Sequence, residues 1–119
     1  MQYVGVDIVE ISRISEAIAS RGEAFLGRVY TPAELERYRY KLPSLAARFS
    51  AKEAVIKALG GEGLSLIEVE VLSASNGKPL LILHGKAQAR AAELRLTALD
   101  ISLSHARDYA VACAVGFAP

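Results

Sequence analysis

The sequence predicts an α+β fold built on an antiparallel sheet, on three observations. Strand-like and helix-like segments are grouped along the chain rather than strictly alternating, which argues against a doubly wound sheet. Asn76-Gly77, between two apolar β-type runs, marks a hairpin. The segment from Pro43 to Gly60-Gly61 reads as one long helix that is apolar on two sides, and such a helix is buried between two layers.

Tyr3 to Ile11 is mostly β-branched and reads as the first strand. Ile14, Ala17 and Ile18 have helical spacing, so a helix is expected from Ile11 to Ser20. Thr31-Pro32-Ala33-Glu34 is a capping box with proline at the first helical position, and a short helix should follow to about Tyr40. Pro43 or Ser44 opens the long helix, and Gly60-Gly61 closes it. Glu68 to Leu72 and Leu80 to His84 flank Asn76-Gly77 as a hairpin with a two-residue turn. Gly85 to Leu96 reads as a further helix. Ile101 to Ser104 and Tyr109 to Gly116 are strand-like, with Ala106-Arg107-Asp108 as their turn.

The 119 residues fit one domain, 1–119, long enough to bury a real core. Hydrophobic residues make up 52% and charged residues 23%, as in ordinary globular proteins. The apolar runs are about ten residues at most, far short of a bilayer span. The first residues lack the basic-then-apolar order of a signal peptide. A lone cysteine, Cys113, excludes an internal disulfide and reads as a buried structural thiol. A cytoplasmic setting is expected. The net charge of +1 excludes a general nucleic-acid binder. Even so, Arg37, Arg39, Lys41, Arg48 and Lys52 fall in a stretch with no acid. That stretch is either a solvated face or a site for something anionic.

Three anomalies mark candidate chemistry. On the long helix, Leu45, Phe49, Ile56 and Leu59 form one apolar stripe, and Ala47, Ala51, Ala54 and Ala58 form a small-residue face nearly opposite. Lys52 falls within the large stripe, where a cation needs an anionic partner. Glu53 and Lys57 share a polar strip and are spaced for an ordinary ion pair. Asp7 interrupts a strand that should be well buried, so its carboxylate needs hydrogen bonds, a cation or a metal. Together Asp7 and Glu53 offer two carboxylates, the usual protein share of a magnesium site completed by water and substrate phosphate. His105 ends a strand at the start of a turn, whereas His84 suggests no chemistry.

Gly5-Val6-Asp7-Ile8, Arg48-Phe49-Ser50-Ala51-Lys52-Glu53-Ala54 with Lys57, and Ile101-Ser102-Leu103-Ser104-His105 together resemble the holo-acyl-carrier-protein synthase family of phosphopantetheinyl transferases. Order, spacing and total length agree, and Asn76-Gly77-Lys78-Pro79 looks like the family hairpin. Ser50 stands where many relatives have alanine. The resemblance implies the 4′-phosphopantetheinyl transferase fold, a homotrimer with sites between subunits, and transfer of phosphopantetheine from coenzyme A to a serine of acyl carrier protein for fatty acid biosynthesis. It implies Asp7 and Glu53 as ligands of Mg2+, with Mn2+ an alternative, and Lys57 beside the reacting phosphates. Arg48, Lys52 and His105 would line the coenzyme A site, with His105 offered by the adjacent subunit. Arg13 and Arg28 would meet the acidic carrier protein. Asp7, Glu53 and a metal-held water are alternative acceptors for the serine proton. Residues 64–75 receive no role.

Two rival readings stand beside it. One is a transferase of the same superfamily serving peptide-synthetase carriers, against which the short chain argues. The other is a non-catalytic module that uses Arg37–Lys52 for an acidic partner, which leaves Asp7 and His105 unexplained.

Overall fold

The computed structural model describes residues 1–119 and places an 18-residue helix at the centre. In chain order the elements are β1 (Gln2–Glu10), α1 (Ile11–Arg21), α2 (Glu23–Val29), α3 (Pro32–Tyr38) and α4 (Leu42–Leu59). There follow a short 3-10 turn (Leu66–Glu68), β2 (Val69–Ser73), β3 (Pro79–Leu83), α5 (Gly85–Glu93), β4 (Ala98–His105) and β5 (Tyr109–Phe117). The strands form a three-stranded antiparallel sheet in the order β1-β5-β4 and a separate β2-β3 hairpin. The α+β class and the antiparallel sheet are as the sequence predicts.

Helix α4 lies against the inner face of the three-stranded sheet, and its small-residue side makes the contact. Ala51, Ala54 and Ala58 pack with Ala112 and Ala114 of β5. The approach is so close that a Cβ on Gly5 of β1 would sit 1.9 Å from the Ala54 carbonyl oxygen and 2.8 Å from the Ala58 nitrogen. Only glycine fits there, so the backbones of β1 and α4 are nearly in contact. The N-terminal half of α4, with Leu45, Ala46 and Ala47, packs instead on Ile11, Ile14, Phe25, Leu26, Val29, Tyr30 and Tyr38. Gly60 ends the helix in the left-handed conformation at φ 64°, as the sequence reading expects of a C-terminal glycine.

Element ends shift by up to three residues, with α5 stopping at Glu93 rather than Leu96 and β4 starting at Ala98 rather than Ile101, and three further details differ from the sequence reading. Helix α2 has no predicted counterpart, because it spans only seven residues and carries Gly27. Its signal was the pattern Phe25, Leu26 and Val29, all three buried. The hairpin turn runs over Ser75–Gly77, closed by Ala74 N donating to Lys78 O at 2.8 Å, with Gly77 at φ 86°. A three-residue loop with a left-handed glycine is the next alternative to the two-residue turn. Cys113 is only half-buried, since it lies on the outer face of β5 rather than the inner one.

That outer face is open. Val4, Val6 and Ile8 of β1 are 59–64% exposed, and Val111, Val115 and Phe117 of β5 are 38–48% exposed. They alternate with the inward residues of the same strands.

Candidate active site

Asp7 lies on β1 two residues after Gly5, on the same inward side as the α4 contact. The Ser50 hydroxyl donates to the Asp7 carbonyl at 2.7 Å, tying the helix to this point of the strand. About two turns further along α4, Lys57 Nζ donates to Asp7 Oδ1 at 3.0 Å and to the Val6 carbonyl at 3.1 Å. Lys57 therefore pairs across elements with Asp7, and the ordinary helical pair with Glu53 is not the one formed. Glu53 completes the group: burial first, and then the Asp7 carboxylate, push its carboxyl above the usual range, and Lys57 partly offsets them. Two carboxylates beside one cation form a site short of positive charge. Asp7 is largely covered and Lys57 half exposed, at 16% and 54% of the side chain, so the group opens to solvent.

Lys52 is a correction. Its side chain is 0% exposed. Its ammonium donates to Glu34 Oε1 at 2.7 Å, to the Val69 carbonyl at 2.5 Å and to the Leu66 carbonyl at 3.2 Å. The anionic partner that the sequence demanded is present, but it is internal, so Lys52 has no donor left for a coenzyme. Glu34 in turn accepts from the backbone of Thr31 at 2.9 Å and of Val71 at 2.7 Å. This network pins α3, α4 and β2 together. Lys52→Met is expected to lower unfolding stability by about 3–5 kcal/mol, because it strands a buried carboxylate. Urea unfolding measures it, and a loss below about 1 kcal/mol would contradict the pinning role.

Arg48 and His105 meet elsewhere. Both line a cavity of about 300 Å3 with Ser44, Ser73, Gly77 and the β4 residues that precede His105. Arg48 is 6% exposed. Its Nε donates to the Val71 carbonyl at 3.0 Å, its NH2 donates to Ser73 Oγ at 2.8 Å, and its guanidinium lies 3.6 Å from the Tyr38 ring centroid. Burial lowers its proton affinity, Tyr38 and the Glu34 carboxylate offset this only in part, and no carboxylate forms an ion pair with it. Burial raises the Tyr38 phenol, but its contacts with Ser73, Arg48 and Arg37 outweigh that and hold it below its usual value. The Arg48 cavity and the Asp7 group lie on opposite flanks of α4, since Ser44 and Arg48 point roughly 180° away from Glu53 and Lys57 at 100° per residue. They also belong to opposite edge strands, β4 and β1.

Arg13 and Arg28 are exposed on α1 and α2, and Arg13 Nε is 3.7 Å from Glu10 Oε1. The basic stretch does not form one surface. Arg37 donates to the Ser73 carbonyl, Arg39 pairs with Glu23, and Arg48 and Lys52 are buried. The acidic-partner module loses its binding face with them. His84, which suggested no chemistry, faces Glu70 Oε1 at 3.1 Å, and Glu70 accepts from the Thr31 hydroxyl. Sequence reasoning missed Gly5, Glu34, Tyr38 and Ser73 as determinants of these sites. Only Glu34 carried a signal, its capping-box position, and that reported the helix start rather than the pairing.

Comparisons with known proteins agree on one family. Residues 3–114 match the model of the 4′-phosphopantetheinyl transferase superfamily. The chain is 50% identical to a holo-[acyl-carrier-protein] synthase of Dehalococcoides mccartyi, over 97% of this chain and 98% of that protein. It is 48% identical to the holo-[acyl-carrier-protein] synthase of Herpetosiphon aurantiacus, over 98% of both. The Helicobacter pylori holo-[acyl-carrier-protein] synthase, solved in complex with coenzyme A, superposes with a TM-score of 0.86 at 30% identity, covering 96% of this chain and 99% of that one.

Proposed function

The chain belongs to the 4′-phosphopantetheinyl transferase superfamily, and we propose from that membership and from the site's geometry how it works. It transfers the 4′-phosphopantetheine group of coenzyme A to a serine of acyl carrier protein and releases 3′,5′-ADP, in the service of fatty acid biosynthesis. The observation that carries the reading is the group Asp7, Glu53 and Lys57, assembled where β1 and α4 touch backbone to backbone.

The donor set fits magnesium. No cluster of three or more His, Cys, Asp or Glu side chains exists, so the protein offers no complete cage. Mg2+ is commonly held by one or two carboxylates, with water and substrate phosphate filling the rest, and Mn2+ suits the same ligands. Asp7 and Glu53 would hold the ion, which when bound supplies positive charge to the diphosphate. Lys57, at 3.0 Å from Asp7, is placed to donate to an oxygen of the same diphosphate. The carrier serine oxygen forms a bond to the β-phosphorus as the bond to the leaving diphosphate oxygen breaks. The serine proton passes to the carboxylate pair or to water that it holds.

The second anion site, at Arg48 and His105, takes the nucleotide portion of the coenzyme. Since it lies on the other flank of α4, one coenzyme molecule joins the Asp7 group of one subunit to the Arg48 cavity of its neighbour. Both Arg48 and His105 are then offered by the same neighbouring subunit. A homotrimer closed through the outer sheet face fits this, because the exposed Val4, Val6, Ile8, Val111, Val115 and Phe117 need a cover. Residues 1–119 act as one phosphopantetheinyl transferase domain, with α4 shared by both core clusters. Exposed Arg13 and Arg28 suit an acidic carrier. No helix is long and apolar enough to cross a membrane, and a coenzyme A reaction fits a cytoplasmic setting.

Incubation with coenzyme A, magnesium and apo-carrier should add one phosphopantetheine to the carrier by mass, and excess chelator should stop it. No gain on a fatty-acid or peptide-synthetase carrier would overturn the reading.

A further inference from the structure

Ser73 ends β2 and lines the Arg48 cavity, in the segment to which the sequence assigns no role. Its hydroxyl oxygen accepts from Arg48 NH2 at 2.8 Å and from the Tyr38 hydroxyl at 3.1 Å. A serine hydroxyl has two acceptor positions and one hydrogen, so both acceptors are occupied and the hydrogen has no partner among these groups. Arg48 is in a matching condition. Of its five N–H groups, Nε donates to Val71 O, NH1 to Ser44 O at 3.4 Å and NH2 to Ser73 Oγ, which leaves two. No carboxylate pairs with it. One wall of the cavity therefore presents a hydroxyl hydrogen beside spare guanidinium donors, and a shared anionic oxygen satisfies both.

We propose that Ser73 is a further ligand-binding residue, donating its hydroxyl hydrogen to an anionic oxygen of bound coenzyme A, and that Tyr38 is the positioning residue for this donor. The proposal rests on the reading of this cavity as the nucleotide end of the coenzyme site. Tyr38 acts in two ways. Its ring lies 3.6 Å from the Arg48 guanidinium, a cation–π contact that helps hold that group beside Val71 and Ser73 of β2. Its hydroxyl takes the Ser73 acceptor that would otherwise let the serine turn its hydrogen away from the cavity. Ser73 is held from behind as well, because Arg37 NH1 donates to its carbonyl at 3.1 Å.

Steady-state transfer with coenzyme A varied against saturating carrier tests it. Ser73→Ala is expected to raise the coenzyme KM about tenfold or more, the loss of one hydrogen bond to a charged group. Its kcat and carrier KM stay within about twofold. Ser73→Thr keeps the hydroxyl and restores most of the affinity. Tyr38→Phe keeps the ring over Arg48, so it gives a smaller rise in coenzyme KM, again without loss of kcat. A coenzyme KM unchanged in Ser73→Ala overturns the proposal, and so does a fall in kcat at constant KM. Wild-type protein that transfers nothing overturns the reading of the reaction instead. Calorimetric titration of coenzyme A into wild-type and Ser73→Ala protein then decides the Ser73 contact, and equal affinity or no binding to either refutes it.

Discussion

Asp7→Asn is expected to leave the protein folded and to lower the transfer rate by about a thousandfold or more. The substitution keeps the shape of the side chain and removes its charge. Lys57 then loses the carboxylate 3.0 Å from its ammonium, and Glu53 is left as the single acid of the group. Glu53→Gln should have a comparable effect from the helix side. Full activity of either purified variant with coenzyme A and carrier would sink the metal assignment. A measurement independent of turnover supports the same test. Magnesium should raise the melting temperature of the wild type and not that of Asp7→Asn.

The size of that rise depends on pH, with a sign that follows from Glu53. Its carboxyl is held above the usual range by burial and then by Asp7. The folded, metal-free protein therefore takes up a proton at Glu53 before the unfolded chain does. It gains stability as pH falls through that range. Magnesium needs the ionised form, so protonation competes with it. The magnesium-induced rise is therefore largest near neutral pH and shrinks toward about pH 5. Equal rises at about pH 8 and about pH 5 would contradict this account of the pair.

Gly5→Ala is expected to be among the most damaging single changes available, although it adds one methyl group. The new Cβ would stand 1.9 Å from the Ala54 carbonyl oxygen and 2.8 Å from the Ala58 nitrogen, and both are backbone atoms that no rotamer change can move. The helix must lift from the strand or the strand must bend. Overpacking a rigid contact costs about 3 kcal/mol or more, roughly a 10 °C fall in melting temperature for a chain of this size. The catalytic loss should be larger than the stability loss suggests. Glu53 and Lys57 ride on α4 and Asp7 on β1, so any separation of the two opens the site, and a shift of about 1 Å can cost a hundredfold in rate. Thermal unfolding and the transfer assay report the two effects separately. A variant that melts within about 2 °C of wild type with full activity would show that the close approach does not set the site.

Much of the architecture is legible without coordinates because its signals are local. The capping box at Thr31–Glu34 forms as read, with Thr31 Oγ1 accepting from Glu34 N at 3.2 Å and Glu34 accepting from Thr31 N at 2.9 Å. Gly60 stops α4 because a left-handed residue at that position favours glycine, whatever the surroundings. The two apolar faces of α4 follow from spacing alone and imply burial on both sides. The turn at Asn76-Gly77 is right in place and one residue longer in form, since dipeptide chemistry marks a turn without counting its loop. The seven-residue α2 escapes because so short a helix is stabilised by its packed residues rather than by its own sequence.

The sequence by itself determined which residues were out of place: a carboxylate in an apolar strand at Asp7, and a cation in an apolar stripe at Lys52. It also determined the family, through ordered motifs. Which partner answers each anomaly was decided only by the tertiary structure. Lys52 meets Glu34 and is closed to ligands, whereas Asp7 meets Lys57 and stays open. Ser73 and Tyr38 join Arg48 from separate elements. The physical reason is that periodicity assigns a side chain to a face, but pairing across elements depends on how near two backbones come. Here that distance is set by Gly5 lying against Ala54, a contact between residues far apart in the chain.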